Sequence, residues 1–197
     1  MPDSRRKVII VTDGDRVAGK TVQVAAHNIG ARFISLTTGN PTPISGHEVV
    51  QLIKKAPTDP VVIMVDDRGK SGYGKGEQVL QYVAEHRDIE VIGAIAVASN
   101  TDAKGVEVSE SVTRTGTIVQ GPVDKLGCPE KQGHRFLEGD TVDILSKLRI
   151  PVIIGTGDTG KMDFADDYAR GAPVTTKALQ EIITRSDNDD RNNGPNS

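Results

Sequence analysis

The sequence predicts an α/β fold: a three-layer, doubly wound, mainly parallel sheet of five strands. Two observations carry that prediction. Aliphatic runs of strand length, such as Val8-Ile9-Ile10-Val11 and Val61-Val62-Ile63-Met64-Val65, alternate with amphipathic runs of helical length, the signature of parallel strands covered by helices on both faces. Each aliphatic run also ends in a polar turn rich in Asp, Gly, Thr or Asn, as strand-to-helix connections require. The chain has 197 residues, of which 36% are hydrophobic, enough for one domain with a conventional buried core.

The elements follow in order. Residues 1–6 read as a disordered N-terminus and 7–186 as a single domain. Strands are expected near 8–12, 32–36, 61–66, 91–98 and 151–155. After the first strand, Val22, Ala25, Ala26 and Ile29 share one helical face. Ser45 and Glu48 stand in capping-box relation at the start of a second helix, whose buried stripe is Val49, Leu52, Ile53 and Ala56. A third helix near 75–86 uses Val79, Leu80, Val83 and Ala84. Glycines then break the pattern between about 100 and 138, where residues 106–120 read as a β-hairpin insertion turning near Arg114-Thr115-Gly116. Thr141, Ile144, Leu145 and Leu148 resume a helical face, and Pro173 and Thr175 introduce a last helix, apolar at Leu179, Ile182 and Ile183. Residues 187–197 are polar and lack an apolar anchor, so they are expected to be disordered.

Composition excludes several functions. The formal net charge is -3, with 24 basic and 27 acidic side chains spread along the chain, and Phe and Tyr number three each. That leaves no cationic stripe and little base stacking for nucleic acid. Cys128 is the sole cysteine, so there is no internal disulfide, and the four histidines lack metal-ligand spacing. The apolar runs fall short of the roughly 20 residues that span a bilayer. The short run after Arg5-Arg6-Lys7 leads straight into Thr12-Asp13, unlike a signal peptide. A soluble chain made in the cytosol is expected.

Ligands of open parallel sheets bind beyond the carboxyl ends of the strands. Those ends carry Asp13 and Asp15, Asp66 and Asp67, Ser99 and Asn100, and Asp158, the candidate ligand or interface edge. Asp13, Asp15, Asp66 and Asp67 could offer hard oxygen ligands to Ca²⁺ or Mg²⁺; alternatively Asp15 simply caps the first helix. A nucleotide alternative rests on Gly14-Asp15-Arg16-Val17-Ala18-Gly19-Lys20-Thr21, which spells G-x-x-x-x-G-K-[ST] between strand and helix. In that reading Lys20 meets phosphates, Thr21 holds Mg²⁺, and Asp66 ends a Walker B-like strand. Against it, Val17 can begin the helix before Gly19, leaving Lys20 on an exposed face. A receiver-like domain would use the acids after strands one and three with Ser99, yet Lys161 comes several residues after strand five. No G-x-S-x-G elbow marks a hydrolase serine.

At these same turns the chain resembles the soluble AE-a type of stage V sporulation protein AE, of the SpoVA system of endospore-forming bacteria, over nearly residues 7–186. The carriers are Val8-Ile9-Ile10-Val11-Thr12-Asp13-Gly14-Asp15, Gly39-Asn40-Pro41-Thr42, Val65-Asp66-Asp67 with Gly76-Glu77, Ala96-Val97-Ala98-Ser99-Asn100-Thr101, Gly121-Pro122-Val123-Asp124-Lys125, Glu138-Gly139-Asp140-Thr141 and Gly155-Thr156-Gly157-Asp158-Thr159-Gly160-Lys161-Met162. The resemblance implies a non-enzymatic component of an assembly that moves calcium dipicolinate during sporulation and germination, peripheral at the spore inner membrane. Its implied partners are the membrane-embedded SpoVA subunits and the dipicolinate-binding AD subunit. It supplies no catalytic residues and no resident cofactor.

Overall fold

The computed structural model describes residues 5–67, 74–101, 105–139 and 141–192. The first half of the chain runs β1 (Arg6–Val11), α1 (Arg16–Asn28), β2 (Arg32–Phe33), α2 (Gly46–Lys55), β3 (Val61–Met64), α3 (Lys75–Ala84) and β4 (Ile89–Val97). The second runs β5 (Val106–Glu107), β6 (Glu110–Val112), β7 (Ile118–Gln120), β8 (Phe136–Leu137), β9 (Ile153–Thr156) and α4 (Pro173–Asn192). Among the described residues this is a mixed α/β chain with four α-helices and a mostly parallel seven-stranded sheet ordered β2-β3-β1-β4-β9-β6-β7. Only the β6–β7 pairing within it is antiparallel.

Residues of β1 alternate between the two faces, as a strand's period of two demands. Val8 and Ile10 pack with α2 and α3 residues such as Ile53 and Leu80. Ile9 and Val11 pack with Val22 of α1 and Leu179 of α4. Right-handed crossovers account for this division. The chain leaves β1 leftward to β2 through α1, but moves rightward from β2 to β3 and from β3 to β4 through α2 and α3, which carries those helices to the opposite face. The six mutually parallel strands, counted in chain order, lie 2-3-1-4-6-5, and their first four, 2-3-1-4, differ from the 3-2-1-4 and 2-1-3-4 of Rossmann-like and receiver-like sheets.

Several expectations are corrected. The sheet has seven strands rather than five because the hairpin joins its edge, Ser111 of β6 lying in register with Gly155 of β9. A Cβ at Gly155 would overlap the Ser111 hydroxyl, so glycine is what admits the hairpin. The hairpin itself is shorter than 106–120, since β5 pairs with β8 in a separate two-stranded sheet. β2 stops at Phe33 and gives way to a 3₁₀ turn, Ser35–Thr37, because the Thr37 hydroxyl takes over the pairing and accepts from the Met64 amide at 3.0 Å. The helix expected after Thr141 is a 3₁₀ segment, Asp143–Lys147, that still buries Ile144 and Leu145.

Both ends also differ from expectation. Arg6 begins β1, its guanidinium pinned by Asp59 at 2.7 Å and by the Ala56 carbonyl at 3.0 Å. The C-terminal polar segment is helical through Asn192, because extending an established helix adds a hydrogen bond per residue without a new nucleation cost. Residues 1–4 and 193–197, also expected to be disordered, lie outside the described residues.

Candidate functional site

The β1–α1 turn shows how sequence builds the site. Thr12 ties the end of β1 to β4, its hydroxyl donating to the Ile95 carbonyl and accepting from the Val97 amide. Gly14 is required by close approach: a Cβ there would overlap the Gly39 carbonyl and the Asp66 side chain. The Asp13 carboxylate folds back over this turn and accepts from the amides of Gly14 at 2.7 Å and Asp15 at 3.3 Å. Asp15 Oδ1 accepts from the Val17 and Ala18 amides at 2.8 and 2.9 Å, so Asp15 caps α1.

The other Asp15 oxygen belongs to a cluster. Carboxylate oxygens of Asp13, Asp15 and Asp158 lie within 4.8 Å of one another. Lys161 enters among them, its Nζ 2.6 Å from Asp15 Oδ2 and 3.0 Å from Asp158 Oδ1. Lys125 Nζ stands 3.9 Å from Asp158. Together with Asn40, Asp66, Ser99 and Asn100 these side chains line a cavity of about 230 Å³.

Packing explains how Lys161 gets there. After β9 the chain turns so tightly that the Lys161 amide bonds the Asp158 carbonyl at 3.1 Å. Met162, Asp163 and Phe164 then follow with φ of 50, 51 and 65°, a run of left-handed residues costing ~1–2 kcal/mol each. Met162 is buried and anchors the strained turn, so packing offsets the cost of aiming Lys161 at the cleft.

The charges respond to this crowding. Burial, then the Asp15 charge, pushes the Asp13 carboxyl from its ordinary 3.8 up to about 7, against the pull of its amide bonds. Burial also acts to raise Asp15, but the Lys161 hydrogen bond and the α1 amides outweigh it and hold Asp15 below the usual carboxylate range. Lys161 is raised because its two carboxylates outweigh desolvation. The cleft therefore holds a proton-retaining Asp13 beside an ionised pair.

The remaining candidates sort themselves by geometry. Asp66, Ser99 and Asn100 line the cavity with Asp13, Asp15 and Asp158. Asp67 turns away and accepts from the Gly76 and Glu77 amides at the start of α3. The P-loop arrangement does not form. α1 begins at Arg16, so just Thr12 to Asp15 separate strand from helix, too few to wrap phosphates. Gly19 and Lys20 lie within α1, Lys20 exposed on its flank with Nζ 5.2 Å from the Tyr168 ring centroid. Thr21 is buried and its hydroxyl donates to the Val17 carbonyl at 3.1 Å, leaving it unsuited to Mg²⁺. Lys161, Lys125 and Asn40 were missing from the expected edge. The distance of Lys161 from the strand end had argued against it, and the tight turn from Asp158 to Lys161 removes that distance.

Chemically, the cleft gathers three carboxylates of metal-ligand type, two of which the Lys161 ammonium meets. No curated protein and no solved structure matches the chain. Residues 7–186 match the family described as stage V sporulation protein AE1, over most of both the sheet and its helices, and the chain belongs to that family.

Proposed function

We infer that this chain is a non-enzymatic component of the SpoVA assembly, acting in calcium dipicolinate movement during sporulation and germination. Family membership gives a sporulation-related role and points to other SpoVA components as partners. The observation supporting the finer reading is the extent of the match, residues 7–186, rather than a single turn. The nucleotide alternative loses its geometric basis, since Lys20 and Thr21 stand inside α1. Among the described residues no helix is long and apolar enough to cross a membrane. In this reading the membrane subunits and the dipicolinate-binding AD subunit hold the chain at the spore inner membrane, and the cleft edge with Ser99, Asn100 and Asp158 faces them. The test is affinity capture of the tagged chain from detergent-solubilised spore membranes. Recovery of SpoVA subunits that drops with Asn100→Arg supports the reading; recovery of none sinks it.

A second reading, a divalent-cation site, is favoured by one observation, the carboxylate oxygens of Asp13, Asp15 and Asp158 gathered within 4.8 Å. Ca²⁺ or Mg²⁺ would take those oxygens, and Lys161 is the competitor it must displace. Calorimetry with CaCl₂ should then give stronger binding to Lys161→Met than to the unaltered chain. Absence of heat with both proteins ends this reading.

A further inference from the structure

The seven-stranded sheet has two edges, β2 and β7, and they are finished differently. A sheet edge leaves a row of backbone amides and carbonyls without a neighbour, and folded proteins blunt such edges with charges, proline or very short strands. The β2 edge follows that rule: it is two residues long, carries Arg32, and gives way to the 3₁₀ turn Ser35–Thr37. The β7 edge does not. Its segment Thr115-Gly116-Thr117-Ile118-Val119-Gln120-Gly121 contains no charged residue and no proline. Thr117 and Gln120 are exposed, Ile118 and Val119 half-buried, and among the described residues no strand pairs with the outer side of β7.

The ladder to β6 fixes which backbone groups are left over. The Thr113 amide donates to the Thr117 carbonyl at 2.9 Å, and the Gly121 amide to the Ser109 carbonyl at 2.8 Å. With Ser111 opposite Val119, these bonds make Thr117, Val119 and Gly121 the hydrogen-bonded positions of β7. Antiparallel pairing alternates bonded and non-bonded pairs, so Ile118 and Gln120, opposite Val112 and Glu110, turn their amides and carbonyls outward. The run is closed at both ends. The Gly116 amide is already bonded to the Thr113 carbonyl at 2.8 Å, and Pro122 has no amide hydrogen to give.

We propose that β7 pairs with β7 of a second copy of this chain, antiparallel about a two-fold axis at Val119. In that register Ile118 of each copy exchanges both backbone bonds with Gln120 of the other, and Val119 meets Val119 between them in the closer type of pair. The strand matches itself: the outward groups of Ile118 and Gln120 find their complements at Gln120 and Ile118. Charge points to the same occupant. Each copy carries a formal net charge of -3, and this uncharged edge lets two copies meet without like charges face to face. Three residues a side bury far less than the ~1,600 Å² of a standard interface, so the dimer is a weak one, with Kd of ~10–100 µM. This pairing concerns the chain alone and does not depend on the assembly reading.

The test is analytical ultracentrifugation of the full chain over a roughly hundredfold concentration range, with amide hydrogen exchange read alongside. Dimer should grow with concentration, and exchange at Ile118 and Gln120 should slow with it, while the Val119 amide, facing Ser111, stays slow throughout. Gln120→Pro removes one outward amide from each copy and should raise Kd about tenfold. Gln120→Lys sets two ammonium groups diagonally across the seam and should raise it about fivefold. Gln120→Ala keeps the backbone bonds, loses only the side-chain contact with Glu110, and should leave Kd unchanged. The position is exposed, and thermal unfolding verifies that each variant is folded. A chain that is monomeric at every concentration overturns the proposal. So do a dimer in which the Ile118 and Gln120 amides exchange as fast as in the monomer, and a dimer that Gln120→Lys leaves intact. Protection that arises only on adding detergent-solubilised SpoVA subunits gives the edge to a different strand, and overturns it too.

Discussion

Aspartates in the connections that follow these strands are held in two opposite ways. Asp166 is buried and gives both oxygens to the start of α4: Oδ1 accepts from the Val174 and Thr175 amides, each at 2.9 Å, and Oδ2 from the Thr175 hydroxyl at 2.6 Å and the Gly160 amide at 3.0 Å. Asp67 does the same for α3. Asp13, Asp15 and Asp158 instead face one another, with Lys161 set between two of them. Asp15 belongs to both groups, one oxygen on α1 amides and the other on the lysine. Position after a strand does not separate a capping carboxylate from a clustered one. What separates them is whether a helix start lies close enough to supply donors to both oxygens, although burial still pushes the Asp166 carboxyl up against those bonds.

The largest effect should come from the capping group. Asp166→Ala would strip the partners from four buried donors, and each donor left unsatisfied carries a desolvation cost of ~1–3 kcal/mol. Allowing for relaxation and water entry, a loss of ~3 kcal/mol or more is expected in denaturant unfolding. A loss below ~1 kcal/mol would mean that Asp166 is not the anchor its bonds imply, and the distinction between the two groups would fail there.

The clustered group should respond with the opposite sign. Asp13 holds its proton more firmly folded than unfolded, its carboxyl rising from 3.8 to about 7. Between those values the folded chain binds more protons, so its contribution to stability falls as pH rises and is fully lost above about 7. Asp13→Asn keeps an acceptor for the Gly14 amide while removing the charge. It should stabilise the protein at pH 8 by ~2 kcal/mol, with little change at pH 4. Thermal unfolding at the two pH values measures this, and equal shifts at both would show that Asp13 titrates as an ordinary surface acid.

These contrasts mark how far the sequence could be read. The alternation in β1 and the faces of α1, α2 and α3 were legible because burial on one face enforces a period, and the Ser45–Glu48 capping box forms as its spacing requires. The hairpin's place on the sheet was not legible, because it depends on Gly155 making room for Ser111, a contact across distant parts of the chain. The cleft was legible in part. Asp13, Asp15, Asp66 and Asp158 were marked by strand ends, whereas Asp67 could not be told from them without knowing where α3 begins. Lys161 was hidden because the turn from Asp158 through left-handed Gly160 folds the chain back toward the strand end, which its distance along the sequence does not show.

Lys161 is therefore the finest test of the comparison. Its bonds to Asp15 and Asp158 are half-exposed, and such pairs are worth ~1 kcal/mol or less, so Lys161→Met should cost about that much at pH 7. The pair's contribution is present while Asp15 is ionised and is lost as pH falls through its depressed folded value, below 3.8. The variant and the unaltered protein should therefore converge in stability in strong acid. At neutral pH, millimolar Ca²⁺ should restore the lost stability in Lys161→Met, because a divalent ion can neutralise the oxygens the ammonium has left. Convergence in acid without rescue by Ca²⁺ would make the cluster a structural ion pair. Rescue would make Lys161 the occupant of a site built for exchange.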